Sequence, residues 1–144
     1  MENRLFFTCG FQGENDWIVL SNRQLMVAKD KEKMLDMLNK IKTKVGGARL
    51  EIIPEPELGP SELSVQYDGE KYLFTLLEYV GANGEMIIRG KANFNGEWKL
   101  VEFLSDGELY PPDAITTDFE FIKKVFLEFL ETGNVSYDLM DRIY

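Results

Sequence analysis

The chain has 144 residues, 44% apolar and 28% charged, with one cysteine and no histidine, which is the size of one domain able to bury a core without disulfides. Its formal net charge of −9 disfavours nucleic acid as a ligand, because phosphates would meet an anionic surface. Lacking imidazole, it also lacks the side chain best suited to proton transfer near neutral pH, and one thiol cannot build a zinc centre.

The run Leu5-Phe6-Phe7-Thr8-Cys9, ending at Gly10 and Gly13, predicts an opening strand over residues 4–11. Cys9 lies inside that run and reads as a small buried hydrophobe, not a nucleophile. Residues 17–20 form a second short apolar run. Asp30 is the expected N-cap of a helix reaching about Lys44, with Met34, Leu35, Leu38 and Ile41 along one stripe and Gly46-Gly47 as its stop. The lysines Lys29, Lys31, Lys33, Lys40, Lys42 and Lys44 interleave with Asp30, Glu32 and Asp36, the pattern of a solvated helix face. A strand is expected over residues 49–53. Pro54, Pro56 and Pro60 then fix φ and remove donors, so residues 54–61 read as a stiff loop.

Hairpins follow. Leu63, Val65 and Tyr67 alternate with polar residues up to the turn signal Asp68-Gly69. A strand over 71–80 places Tyr72, Phe74 and Leu76 on one face, and Asn83-Gly84 turns the chain into a strand over 86–89. A third signal, Asn95-Gly96, separates residues 92–94 from a strand over 98–104. There Trp98, Leu100, Glu102 and Leu104 share one face, and Lys99, Val101 and Phe103 the other.

Thr117 and Glu120 form a capping box for a helix whose stripe is Phe119, Ile122, Val125, Phe126, Phe129 and Leu130, closed by Gly133. Ser136 is the expected cap of a last short helix over 137–143. The expected fold is α+β: a single domain over residues 1–144, an antiparallel β-meander with helices packed on one face. No apolar run approaches the ~20 residues of a membrane helix. The opening Met1-Glu2-Asn3-Arg4 lacks the basic and apolar regions of a signal peptide, so a cytoplasmic protein without membrane contact is expected.

Charge is unevenly spread along the chain. Residues 1–50 carry nine Lys/Arg against six Asp/Glu, whereas residues 51–144 carry seven against nineteen. Carboxylates in such number make chance pairs inevitable, so a hydrolase pair drawn from Glu102, Asp106 and Glu108 has little support. Phosphate loops, nucleophile elbows and dinucleotide fingerprints are absent, and no catalytic residue, cofactor site or metal ligand is assigned. The positive signal is acid mixed with aromatic. Asp106, Glu108, Tyr110 and Asp113 fall in an irregular stretch, and Trp98 and Glu102 share a face of the strand before it. Aromatic anchors ringed by carboxylates suit a cationic protein partner. The corner Tyr110-Pro111-Pro112 reads equally well as a buried lead into the helix.

The block over residues 108–136, with its tyrosine–proline corner, Thr116-Thr117-Asp118-Phe119 and Thr132-Gly133-Asn134-Val135-Ser136, resembles small bacterial immunity proteins. Residues 63–67 and the hairpin Asp68-Gly69-Glu70-Lys71-Tyr72 share that likeness, which covers roughly residues 50–140. Such proteins are encoded beside polymorphic toxins, including those of contact-dependent growth inhibition. The resemblance implies a non-catalytic inhibitor that binds a cognate basic toxin domain, a nuclease above all, and blocks its active site or substrate surface. A carboxylate patch can occupy a phosphate-binding groove as a surrogate, which agrees with the charge pattern. The competing expectation is a regulatory module binding a small molecule or peptide in a cleft between sheet and helices.

Overall fold

The computed structural model describes residues 4–81 and 83–143; Met1, Glu2 and Asn3, on which the expected lack of a signal peptide partly rests, lie outside them. In chain order the elements are β1 (Arg4–Gln12), β2 (Trp17–Met26), a 3-10 turn (Ala28–Asp30), α1 (Lys31–Lys40), β3 (Gly46–Ile53), β4 (Gly59–Tyr67), β5 (Tyr72–Tyr79) and β6 (Met86–Lys91). There follow β7 (Val101–Glu102), β8 (Leu109–Tyr110), a 3-10 turn (Pro112–Ala114), β9 (Ile115–Thr116), α2 (Phe119–Thr132) and β10 (Met140–Ile143). The expected α+β class and antiparallel sheet are what the chain adopts.

Seven strands lie in the order β10-β6-β5-β4-β3-β1-β2, and β9 adds to the stretch of β5 that β6 leaves free. Every pairing is antiparallel. Strands β3 to β6 form the meander, while α1 carries the chain from β2 on the edge back to β3 beside β1. Both helices cover one face. Alternate residues of the strands turn toward them: Phe7, Cys9 and Phe11, then Ala48 and Leu50, Leu63 and Val65, and Tyr72, Phe74 and Leu76, all buried. The core is built from rings, with Phe7 edge-on to Phe126 at 6.5 Å and Phe74 to Phe121 at 5.2 Å. Cys9 is buried as expected; its thiol donates to the Met37 carbonyl at 3.7 Å, and burial pushes it up to about 12.

Several boundaries move. Helix α1 stops at Lys40, and Gly46-Gly47 open β3 instead of closing the helix. Gly46 is a packing requirement, since a Cβ there would stand 2.4 Å from the Gly10 carbonyl oxygen. The proline loop shortens because Pro60 and Ser61 join β4, Pro60 near its start where a missing donor is tolerated. The cap of α2 is Asp118, not Thr117: its carboxylate accepts from the Phe121 amide at 3.3 Å, and Gly133 at φ 74° ends the helix. The predicted helix over 137–143 is a turn followed by strand β10. Leu139 and Met140 amides both donate to the Ser136 carbonyl, after which the open edge of β6 captures the chain. No described helix is long and apolar enough to cross a membrane.

Candidate functional site

The predicted strand over 98–104 has just two residues in regular structure, Val101 and Glu102, and the strand expected over 92–94 to pair with it is a turn. Val101 faces Tyr110 and Glu102 faces Leu109, making β7–β8 a small hairpin apart from the main sheet. Phe103 anchors it, fully buried and edge-on to Tyr110 at 6.1 Å. The Phe103 amide donates to the Glu108 carbonyl at 2.9 Å and the Gly107 amide to the Phe103 carbonyl at 2.8 Å. Asp68 fastens the hairpin to the β4–β5 turn: its carboxylate accepts from the Leu104 amide at 2.7 Å as well as from the Glu70 and Lys71 amides.

With Phe103 pointing inward, the rest of the hairpin points out. Trp98 is 48% exposed, Leu100 52%, Leu104 50% and Leu109 57%. Among them stand Glu97, Glu102, Asp106 and Glu108, all exposed, and among the described residues none of these four takes part in an ion pair. Lys71 at the base donates to the Glu102 main-chain oxygen at 3.3 Å and pairs with Glu70 at 3.6 Å. The Tyr110 hydroxyl donates to Asp106, which lowers the Asp106 carboxyl below its ordinary value, helped by the Glu108 amide, and pushes the Tyr110 phenol up to about 12.

Of the six predicted partner-binding residues, Trp98, Glu102, Asp106, Glu108 and Tyr110 lie on this hairpin and its approach. Asp113 does not belong with them. It is fully buried in the 3-10 turn beyond the corner, packed against Gly90, where an added Cβ would meet the Asp113 carboxyl carbon at 2.9 Å. The corner is thus both things expected of it: Tyr110 is half-buried beside the acids, while Pro112, Asp113 and Ala114 lead inward to α2. Glu102, Asp106 and Glu108 sit on a projecting hairpin and not across a cleft.

The expected cleft between sheet and helices is filled by the aromatic core. A recess lies instead on the opposite face of the sheet, a trough of about 700 Å³ lined by Trp17, Thr8, Gly10, Gly47, Arg49 and Gln66 among others, with Ser105 of the hairpin at its rim. Sequence reasoning passed over these residues. The usable signal was the polar alternation Arg49-x-Glu51 and Glu62-x-Ser64-x-Gln66 between Leu50, Leu63 and Val65.

The fold is similar to that in a crystal structure of a hypothetical protein from Neisseria gonorrhoeae, with a TM-score of 0.72 over 92% of this chain and 90% of that one at 21% identity. At that identity the likeness concerns the fold. No curated protein matches the chain. One family model spans residues 10–139, from the end of β1 to the turn before β10, and the chain therefore belongs to DUF6911, a family of unknown function.

Proposed function

We propose that the chain is a non-catalytic immunity-type protein of the cytoplasm that captures a cationic partner protein through the hairpin over residues 97–110. In the form implied by the sequence resemblance, the partner is a toxin domain with nuclease activity, and the hairpin carboxylates take the place of its phosphates. The observation that carries this reading is the coincidence of four half-exposed apolar side chains with four exposed carboxylates that make no ion pair among the described residues. Apolar anchors supply the desolvated centre that dominates interface energy, and surrounding like charges raise the encounter rate with an opposite field. A solvated surface without a partner has no need of Trp98, Leu100, Leu104 and Leu109 all exposed within one twelve-residue stretch.

On this reading the gene directly upstream encodes a large secreted protein with a variable C-terminal domain, and an upstream gene of any other kind counts against it. The test co-expresses that domain with the chain and measures the purified pair. A 1:1 complex is expected, its association rate falling as NaCl is raised. The triple change Glu102→Lys, Asp106→Lys and Glu108→Lys should slow association by about tenfold or more and abolish protection of cells producing the toxin domain. If the triple variant binds and protects as the parent does, the hairpin is not the interface.

A further inference from the structure

The trough on the open face of the sheet has a construction of its own. One wall is Trp17, 53% exposed, with its indole seated over Gly10: a Cβ at that glycine would lie 2.6 Å from Nε1 and 3.0 Å from Cε2. Gly10 faces Val19 on one side and Gly47 on the other; Gly10 lies beneath the ring, and Gly47 leaves main chain bare beside Gln66. Around them stand the short hydroxyl and amide side chains Thr8, Ser64, Gln66 and Asn22, together with the exposed apolar Val19 and Val45.

Charge at the far end is internally matched. Arg49 Nε lies 3.2 Å from Glu51 Oε1 and 3.6 Å from Glu62 Oε1, and Arg23 Nε lies 3.8 Å from Glu51 Oε1. Of these groups Arg49 and Glu62, 3.6 Å apart, line the trough itself, one guanidinium against one carboxylate, so its lining carries no net charge to select a cation or an anion. A wholly apolar ligand is equally unsuited, since it would strip water from amide and hydroxyl groups without replacing their hydrogen bonds. An extended peptide would need an open strand edge for its main chain; β1, β3 and β4 beneath the trough are each paired on both sides, and β2, which ends the sheet, offers its open edge in the plane of the sheet and not over the trough floor. The complementary ligand is neutral, rich in hydroxyl groups, and bears a face of C–H groups to lie against an indole.

We propose that this trough is a saccharide-binding site, with Trp17 as the platform for a sugar ring and Gln66, Ser64, Thr8 and Arg49 as partners for its hydroxyls. Its volume lies within the range of about 300–1,000 Å³ typical of small-molecule sites, and its open form accommodates more than one ring of a chain. The site is distinct from the hairpin surface, whose Ser105 reaches one end of it, and needs no toxin to be occupied.

Isothermal titration calorimetry of the full chain with cellotetraose, maltotetraose and tetra-N-acetylchitotetraose at millimolar concentrations tests the proposal, together with amide shift mapping at Gly10 and Gly47. Saturable binding of at least one sugar is expected, with both glycine amides shifting. Trp17→Ala should weaken it by about tenfold or more, Gln66→Ala by about threefold to tenfold, and Lys124→Ala on the helical face not at all. Because Trp17 is half exposed its loss leaves the core intact, and Gln66→Ala provides an independent second variant. Absence of heat and shifts with all three sugars overturns the proposal. So does binding that Trp17→Ala and Gln66→Ala leave unchanged, or binding of an acetylated Val-Thr tetrapeptide in place of any sugar.

Discussion

Asp68 shows how one side chain joins two parts of the molecule. Buried in the β4–β5 turn, it gives one oxygen to the amides of Glu70 and Lys71, at 2.8 and 2.7 Å, and the other to the Leu104 amide of the hairpin. Burial alone would raise its carboxyl, but the three amides and the Lys71 charge outweigh that and hold it below the usual value. A depressed folded value means that its stabilising effect is complete above the ordinary aspartate value of about 3.9 and disappears as pH falls through the folded one. Asp68→Asn, with one acceptor where two are used, should lose about 1–3 kcal/mol at pH 7. In urea melts the gap between variant and parent should narrow at pH 3. A gap that is the same at both values would show that the carboxylate charge is not what matters. Gly10 is a second residue whose identity is fixed by its surroundings. It leaves room for the Trp17 indole, and no side chain can share that space.

Among elements, β10 owes its place to a buried arginine on β6. Arg89 is fully buried, opposite Leu76 on the helical face of the sheet. It donates from Nε to the Met140 carbonyl at 2.8 Å and from Nη1 to Asn134 Oδ1 at 2.8 Å and Glu78 Oε1 at 3.1 Å. Nη2 donates to the Val135 carbonyl, and the Tyr137 ring lies 4.0 Å from the guanidinium carbon. The planar, permanently charged fork is thus turned on the segment between α2 and β10. Arg89→Met should cost about 3–5 kcal/mol, since it leaves Glu78 partly buried without its counter-charge, and should speed amide exchange over residues 134–143 ahead of the rest of the sheet. Adding Glu78→Gln should restore part of the loss. If exchange rises uniformly across all strands, the arginine supports the whole sheet and not β10 in particular.

At the scale of the molecule, the acidic balance is not matched locally. Among the described residues the ion pairs gather on β3 and β4, in the β4–β5 turn, beneath Arg89 and on α2, while the hairpin carboxylates stay outside them. Excess charge of one sign repels itself and weakens the compact state, and salt screens that repulsion within about 10 Å at 0.1 M. The thermal midpoint should therefore rise by a few degrees between low salt and physiological salt. The Lys triple variant of Glu102, Asp106 and Glu108 takes the formal charge from −9 to −3, each reversal adding two units. It should melt no lower than the parent and show a smaller salt dependence. A lower midpoint would mean that these acids are structural, and any loss of partner binding by the triple variant would have to be read accordingly.

While the third hairpin expected around Asn95-Gly96 does not form, the chain's own pattern determined strands β3 to β6, the turns at Asp68-Gly69 and Asn83-Gly84, the stripe of α2 and its glycine stop. Each of these is a local matter of periodicity or of a φ value that few residues adopt. The separation of Phe103 from Leu104 and Glu102 onto opposite faces was legible too, whereas which face turns inward was not, and Lys99, expected on the face of Phe103, is exposed. What the sequence could not decide was anything that depended on a distant partner. Residues 137–143 carry helical and extended options alike, and β6 with Arg89, some fifty residues earlier, selects the strand. Gly46-Gly47 read as a helix stop until the approach of β1 gave them another purpose. Asp113 looked like a surface acid by composition and is buried because the proline corner turns it inward. The trough could not be read along the chain at all, because its wall and floor come from β1, β2, β3 and β4 and meet only when those strands lie side by side.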